Sequence, residues 1–251
     1  MWILFSPSEK KRTSHSQEIQ SKKGFYKDFL TPNLKEVLDS YHAFLTSASD
    51  EELKRLLGVK KLNIDEIALL QNIFKTPLLK AILRYDGVAF RALDYENLPL
   101  NSQEYIDRQV LIFSNLFGLL RANCCIPYYD VKQGIGFLEF ESKKFYASYK
   151  EKYFQFLDKE KEILDLRAGF YQQCLPIPPK FLVYEPIFIK NQKKVSHYAK
   201  YYRGILLKEC ANKNVKTLSE LENLLIEGLK IFDIKRDITT SKVFIYYEVT
   251  P

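Results

Sequence analysis

The sequence has little of what defines several large classes of protein. Nine glycines and ten prolines among 251 residues are too few for a fibrous or low-complexity chain. Uncharged apolar runs such as 110–113 fall far short of the ~20 residues that span a bilayer. The first five residues run directly into Ser6-Pro7, without the basic leader or apolar region of a signal peptide. We therefore expect a cytoplasmic protein with no membrane partner.

Metal-binding and familiar catalytic motifs are also missing from the sequence. The four cysteines include a vicinal pair but no Cys-x-x-Cys, and the three histidines are scattered, so we predict no metal site and no cofactor. A Walker A loop, a Gly-x-Gly-x-x-Gly, a Gly-x-Ser-x-Gly and a His-Glu-x-x-His are all absent. This argues against familiar enzymes and leaves open whether the chain is an enzyme.

The composition does provide a core and an excess of positive charge. Hydrophobic residues make up 46% of the chain, which is enough for one large domain. The net charge of +7 favours a polyanionic partner such as nucleic acid, although many basic proteins bind none.

Hydrophobic periodicity predicts one mixed α/β (α+β) domain over residues 1–251. We expect a mixed central sheet, surrounding helices and an N-terminal helical subregion over about 33–84. The predicted strands are 2–5, 109–113 and 163–166, with hairpins from 181–189 to 195–197 and from 231–234 to 243–249. The predicted helices are 33–45, 49–58, one after Asn63, 78–83, 142–157, 198–210 and 217–229.

Polar residues follow two of the predicted strands. Glu9 and Asp165 would meet in one crevice if these strands are parallel. They could form an acid–base pair, line an anion or phosphate site, or belong to a buried charge network that fixes loops. Cations that could surround such a site are Lys11, Arg121, Arg167, His197 and Lys200.

The histidine and tyrosine side chains close to Lys200 in the sequence each have two interpretations. His197 could be a general base or a capping hydrogen-bond partner at a strand-to-helix junction. Tyr198, Tyr201 and Tyr202 could stack on bases, but their helical spacing favours packing in the core.

Five blocks in a fixed order resemble the YaaA peroxide-stress protein family over nearly the whole chain. The first is the opening strand followed by Ser8, Glu9 and Lys11. The later blocks contain Tyr85, Gly87, Val88, Ala92 and Leu93; Ser114, Leu116, Gly118, Leu120, Arg121, Pro127 and Tyr128; Asp165, Leu166, Arg167, Gly169 and Tyr171; and Ser196, His197, Lys200 and Gly204. Lys10, Asn115 and Ala122 depart from the family pattern.

The resemblance implies a cytoplasmic protein that protects against hydrogen peroxide, is linked to limiting free intracellular iron, and binds double-stranded or damaged DNA with little sequence preference. It also implies a helix-hairpin-helix element, for which 53–70 with Gly58-Val59-Lys60 as its hairpin is the best match. A helical hairpin packed on the core with solvated lysines is the alternative. The predicted DNA-binding residues are Lys11, Lys54, Lys60, Lys61, Arg121, Arg167, His197 and Lys200.

Two further functions stay open at this point. One is an enzyme acting on a nucleotide or modified nucleobase through Glu9, Asp165 and Lys200. The other is an iron-sequestering protein, for which the scattered histidines offer no recognisable site. We expect a monomer, although the sequence does not determine the oligomeric state.

Overall fold

A mixed sheet forms the centre of the molecule. The computed structural model describes residues 1–191, 193–195 and 198–250. The strands are β1 Trp2–Phe5, β2 Leu79–Lys80, β3 Val110–Ser114, β4 Gly118–Arg121, β5 Cys125–Ile126, β6 Glu162–Leu166, β7 Leu182–Lys190, β8 Lys193–Lys194, β9 Leu229–Asp237 and β10 Lys242–Val249. The main sheet has the order β4-β3-β1-β6-β7-β10-β9, with β8 paired to β7, and β2 with β5 forms a separate ribbon.

The middle of this sheet is parallel. Strand β1 pairs in parallel with β3 on one side and β6 on the other, so that Ile3 lies opposite both Val110 and Leu164. Strands β6, β7 and β10 continue the parallel part, while β4 and β9 close the edges in antiparallel fashion. Every residue of β1 is buried, as expected for a parallel strand covered on both faces.

Helices cover both faces of the sheet. They are α1 Leu34–Ser47, α2 Asp50–Leu57, α3 Ile64–Gln71, α4 Ala81–Arg84, α5 Val88–Leu93, α6 Leu100–Gln109, α7 Ser142–Ser148, α8 Lys150–Leu157, α9 Gly169–Cys174, α10 Ala199–Asn212 and α11 Leu218–Glu222. Ile3 and Phe5 point into one core with α1, α5, α6 and α10, whereas Trp2 and Leu4 point into a second core with α7, α8 and α9. In the described part of the chain, no helix is long and apolar enough to cross a membrane.

The structure confirms the mixed α/β class and the single domain. The first, third and sixth strands and helices α1, α2, α3 and α10 lie where the sequence predicts them. The capping box at Ser49 is also present, because Glu52 donates its backbone N–H to the Ser49 side chain and accepts the Ser49 N–H in return.

Four predicted elements have different limits. Residues 79–80 pair as strand β2 before α4 begins, and the helix predicted over 142–157 is interrupted at Tyr149. The helix predicted over 217–229 ends at Glu222, and Gly228, with a φ of 76°, turns the chain into β9. The hairpin predicted at 191–192 forms between β7 and β8, but Gln192 lies outside the described residues, as do Ser196, His197 and Pro251.

A close contact fixes α10 against α5. A Cβ atom on Gly204 would lie 2.2 Å from the Ala89 carbonyl oxygen and 2.9 Å from the Ala92 Cβ. Only a residue without a side chain lets the two backbones approach this closely. The contact places the second turn of α10 directly against α5.

We predict that Gly204→Ala destabilises the protein by about 1–3 kcal/mol, because the added methyl group forces the two helices apart. The matched control is Gly169→Ala in α9, where an added Cβ would have no neighbour within 4 Å. That control gains up to ~1 kcal/mol from helix propensity. Urea unfolding of both variants measures the difference, and a stabilised Gly204→Ala protein would contradict the close contact.

Candidate functional site

The strand order places a crevice beside β1. The chain passes from β1 to β3 on one side and then returns to β6 on the other, so the order reverses between β1 and β6. In open α/β sheets such a reversal leaves a crevice outside the carboxyl ends of the two strands, where ligands bind. A cavity of about 460 Å³ lies there, lined in part by Ser6, Ser8, Glu9, Ala168, Lys200 and Arg203.

Hydrogen bonds hold the loop after β1 in position. The Ser6 Oγ accepts the Ala168 N–H at 2.7 Å, which joins this loop to the one after β6. The Asp86 N–H donates to the Lys10 carbonyl at 2.9 Å, and the Ser8 hydroxyl donates to the Asp86 carbonyl at 3.3 Å. Gly87 allows this approach, since a Cβ there would lie 2.3 Å from the Ser8 Oγ.

Lys11 points inward rather than toward solvent. Its ammonium group lies 2.7 Å from the Asp130 carboxylate, donates to the Glu9 carbonyl at 2.8 Å, and lies 4.7 Å from the centre of the Tyr129 ring. Burial raises the pKa of Asp130, and the Lys11 charge opposes that shift. Lys11 therefore fixes the loop and is not accessible to a duplex at the surface.

A buried hydrogen-bond network lies beneath the crevice. The Tyr129 hydroxyl lies 2.8 Å from both the Tyr85 hydroxyl and the Ser114 Oγ. Burial raises the pKa of Tyr85 to about 12, so the phenol stays protonated at neutral pH. Asn115 donates to the Val131 carbonyl at 2.9 Å and accepts from the Tyr171 hydroxyl at 2.9 Å. This departure from the family pattern therefore joins two segments beside the sheet.

Asp165 and Arg167 form a buried ion pair. Arg167 donates through Nε and Nη2 to the two Asp165 carboxylate oxygens at 2.8 and 2.7 Å, and through Nη1 to the carbonyls of Tyr171 and Leu175. Both side chains are about 2% exposed or less. Of the three interpretations left open by the sequence, the geometry matches a buried charge network for this pair, and neither residue lines the cavity.

The other candidate residues lie in different places. Glu9 and Lys200 line the cavity, so the enzymatic alternative keeps two of its three groups there, while Asp165 is held by Arg167. Arg121 lies against the rings of Trp2 and Phe156 at 6.0 and 5.0 Å. His197 lies outside the described residues.

The three tyrosines beside α10 divide between surface and core. Tyr198 is 70% exposed and Tyr201 is 42% exposed, so the prediction of core packing is wrong for both. Tyr202 is half-buried and packs against Phe188, with ring centres 5.4 Å apart.

Arg203 is the cavity residue that the sequence analysis missed. It lies one helical turn after Lys200 on α10, and that i, i+3 spacing of two cations was the available signal. Its Nε is buried and has no hydrogen-bond partner among the residues that the structure describes. Burial lowers the pKa of the Arg203 guanidinium, with opposition from the charges of Asp165 and Glu185.

A second cluster of cations surrounds the turn between α2 and α3. We call Lys54, Arg55, Lys60, Lys61 and Lys132 the basic turn. Gly58 ends α2 with a φ of 68°, and a Cβ there would meet the Lys132 side chain at 2.4 Å. The Lys132 N–H donates to the Leu56 carbonyl at 2.8 Å. Within the described chain, none of the five cations forms an ion pair.

The structure does not confirm a helix-hairpin-helix motif at this turn. The Asn63 side chain accepts the N–H groups of Asp65 and Glu66, so it caps the N-terminus of α3. The same two residues place carboxylates in the first turn, where a phosphate would be repelled. Contacts from the basic turn would therefore come from lysine and arginine side chains. Over the described residues, no group of three or more His, Cys, Asp and Glu side chains could hold a metal ion.

The model of one protein family, described as peroxide stress protein YaaA, matches residues 1–233. The chain belongs to this family. An uncharacterised protein of Campylobacter jejuni is 39% identical over 95% of this chain and 98% of its own length. UPF0246 proteins of Corynebacterium glutamicum and Fusobacterium nucleatum are 27% and 25% identical, covering 90% and 98% of this chain and 95% and 98% of theirs. Membership of the YaaA family supports a role in peroxide stress.

We predict that Arg167→Met destabilises this YaaA-family protein by about 3–5 kcal/mol, because it leaves the Asp165 carboxylate buried without its partner. The double variant Asp165→Leu/Arg167→Met removes both charges and should lose less. Urea unfolding of the two variants compares them. Equal losses would show that the ion pair is not what holds these loops.

We predict that Asp86 stabilises the fold in a pH-dependent way. Hydrogen bonding to Arg91 lowers the pKa of Asp86 from 3.8 to about 2, with Lys10 adding to the shift and burial opposing it. A lowered pKa stabilises the folded state above the unfolded value, and that stabilisation is lost as the pH falls toward 2.

Asp86→Asn should therefore cost about 1 kcal/mol at pH 7, since both cationic partners are largely exposed. The gap to the wild type should shrink as the pH falls from 4 to 2, which urea midpoints measure. A gap that is constant with pH would contradict the assignment.

Proposed function

We propose that the protein is a DNA-binding protein of the peroxide stress response, which contacts phosphates through the basic turn and protects DNA from hydrogen peroxide. The observation that carries this proposal is a group of five cations that have no ion-pair partner in the described part of a chain with a net charge of +7. Family membership supports the stress role. The limit on free intracellular iron implied by the resemblance belongs to the same proposed role, in a cytoplasmic setting.

The pairing of charges separates the basic turn from three buried cations near the crevice. Ion pairs with acidic side chains already hold Lys11, Arg84 and Arg167. A phosphate would have to displace these partners, whereas at the basic turn it displaces only water and counterions. Lys60 and Lys61 are fully accessible there, since both are exposed in the turn between the two helices.

The contacts expected at this turn carry no base specificity. Lysine side chains bind phosphates as point charges, and α3 does not present its N-terminal amides. Binding of duplex or damaged DNA with little sequence preference is the behaviour that follows. The groups left in the cavity do not assemble the acid–base set of the enzymatic alternative, because Asp165 is bound to Arg167.

We predict that Lys60→Ala/Lys61→Ala weakens duplex binding and reduces the slope of log K against log salt by up to about 2, because two phosphate contacts are lost. Fluorescence anisotropy with a labelled duplex across a salt series measures both quantities. The affinity should be nearly independent of the sequence of the duplex.

The matched control is Lys213→Ala/Lys216→Ala, which removes two exposed cations beyond the end of α10. It changes the net charge by the same amount. Equal loss in the two double variants would attribute binding to net charge and not to the basic turn. No binding by the wild type at low salt would refute DNA binding altogether.

A further inference from the structure

The Arg203 side chain is a half-buried cation with no counter-charge among the described residues. No ion pair or side-chain hydrogen bond joins it to any residue in the described ranges, and its Nε is shielded from solvent. A largely desolvated guanidinium costs free energy unless an anion or hydrogen-bond acceptors satisfy it. Buried polar atoms without a partner are rare in native proteins, and an ion or ligand that completes them is one established explanation.

The two acidic residues whose charges act on Arg203 already have other cationic partners. Asp165 accepts two hydrogen bonds from Arg167, and Glu185 lies 3.6 Å from Lys242. The local balance of charge is therefore positive. Lys200, one turn earlier on α10, adds a second, exposed cation to the wall of the same cavity.

The other residues that line the cavity offer contacts that a small inorganic anion would not use. Phe5, Phe90 and Leu166 contribute apolar surface, while Ser6, Ser8 and Glu9 contribute hydroxyl and carboxylate groups. The volume of about 460 Å³ falls within the ~300–1,000 Å³ typical of small-molecule sites. An occupant that fits has an anionic end, a ring that packs on apolar side chains, and hydrogen-bond donors for the Glu9 carboxylate.

We propose that this cavity binds a nucleoside monophosphate unit, with its phosphate on Arg203 and Lys200. Arginine presents a planar fork of donors that matches phosphate oxygens, and Lys200 adds a point charge. The ring packs over Phe5 and Phe90, and Glu9 accepts hydrogen bonds from the sugar or the base. None of the five cations of the basic turn lines the cavity, so this proposal goes beyond the DNA binding proposed above.

The unit could be a free mononucleotide or the 5′-phosphorylated end of a strand. Gln133 lines the cavity and Lys132 belongs to the basic turn, so the two surfaces meet along one segment. Both sources share the phosphate that Arg203 would bind.

The experiment uses the full chain, with deoxyadenosine monophosphate, inorganic phosphate and unphosphorylated deoxyadenosine as probes and chloride at matched ionic strength. We expect the melting temperature of the wild type to rise by about 5 °C at saturating mononucleotide, less with phosphate, and not with the nucleoside. Calorimetric titration gives the dissociation constants. The proposal is overturned if neither deoxyadenosine monophosphate nor inorganic phosphate raises the melting temperature of the wild type or binds to it in the titration.

The decisive variant is Arg203→Met, which keeps most of the side-chain volume and removes the charge. Without ligand it should melt at or above the wild-type temperature, because the uncompensated charge is gone. Mononucleotide binding should weaken at least about tenfold, which corresponds to ~1.4 kcal/mol. The control Lys208→Met removes a cation farther along α10, where Lys208 faces Asp94, and should bind as the wild type does.

Lys200→Met provides an independent test on an exposed residue whose loss cannot disturb the core. It should weaken binding severalfold with no change in stability. If Arg203→Met binds mononucleotide as tightly as the wild type does, or if Lys200→Met and Lys208→Met behave alike, the proposal is wrong.

A duplex with and without a 5′-phosphate distinguishes the two sources. Arg203-dependent preference for the phosphorylated duplex identifies the strand end, and equal binding of both duplexes identifies the free mononucleotide. DNA affinity that depends on Lys60 and Lys61 but not on Arg203 would support DNA binding by the basic turn. Binding at the cavity is then tested by the mononucleotide titration alone. Each proposal can therefore fail without the other.

Discussion

The parallel pairing of β1 with both of its neighbours is the constraint on which the rest of the structure depends. Its four residues are flanked by β3 and β6, and their side chains alternate between the two cores. Because parallel strands end at the same edge, the loops that follow β1 and β6 must emerge side by side. The hydrogen bond from the Ala168 N–H to the Ser6 Oγ is the direct result. The cavity exists because the strand order reverses at this point.

Three buried cations of the protein each pair with a carboxylate, so a cation without such a partner stands out. Lys11 with Asp130, Arg84 with Glu18, and Arg167 with Asp165 are pairs whose cations are buried, and each pair anchors a loop near the crevice. Such pairs add little net stability, but loss of one partner is costly. Arg203 is half-buried and has no such partner among the residues that the structure describes, and the cations of the basic turn are its exposed counterpart.

The sequence predicts the framework well, because local signals determine it. The apolar run of β1, the capping box at Ser49 and the periodicity of α1 all lie within a few residues of chain. Helix α6 was missed because its apolar residues are few and Leu100 is 77% exposed. The break at Tyr149 was missed because the apolar spacing continues through it.

The site could be predicted only in part, because a sequence shows the sign of a charge and not its partner. In the sequence, Lys11, Arg167 and Lys200 are all cations that come shortly after a predicted strand. In the structure, Lys11 pairs with a carboxylate 119 residues away. Only the fold distinguishes a cation that is already satisfied from one that is free. Arg203 illustrates the reverse case, since nothing in its local sequence indicates that its Nε is shielded from solvent.

The segment from Asp130 to Gln133 joins the two surfaces on which the proposals rest. Asp130 binds Lys11 in the loop after β1 and accepts the Tyr41 hydroxyl at its carbonyl, which ties the segment to the helical subregion. Two residues later, Lys132 packs against Gly58 at the basic turn, and Gln133 lines the cavity. The Lys11–Asp130 ion pair and the hydrogen bond from the Lys132 N–H to the Leu56 carbonyl therefore tie the loop after β1, one wall of the cavity and the basic turn to the same short segment.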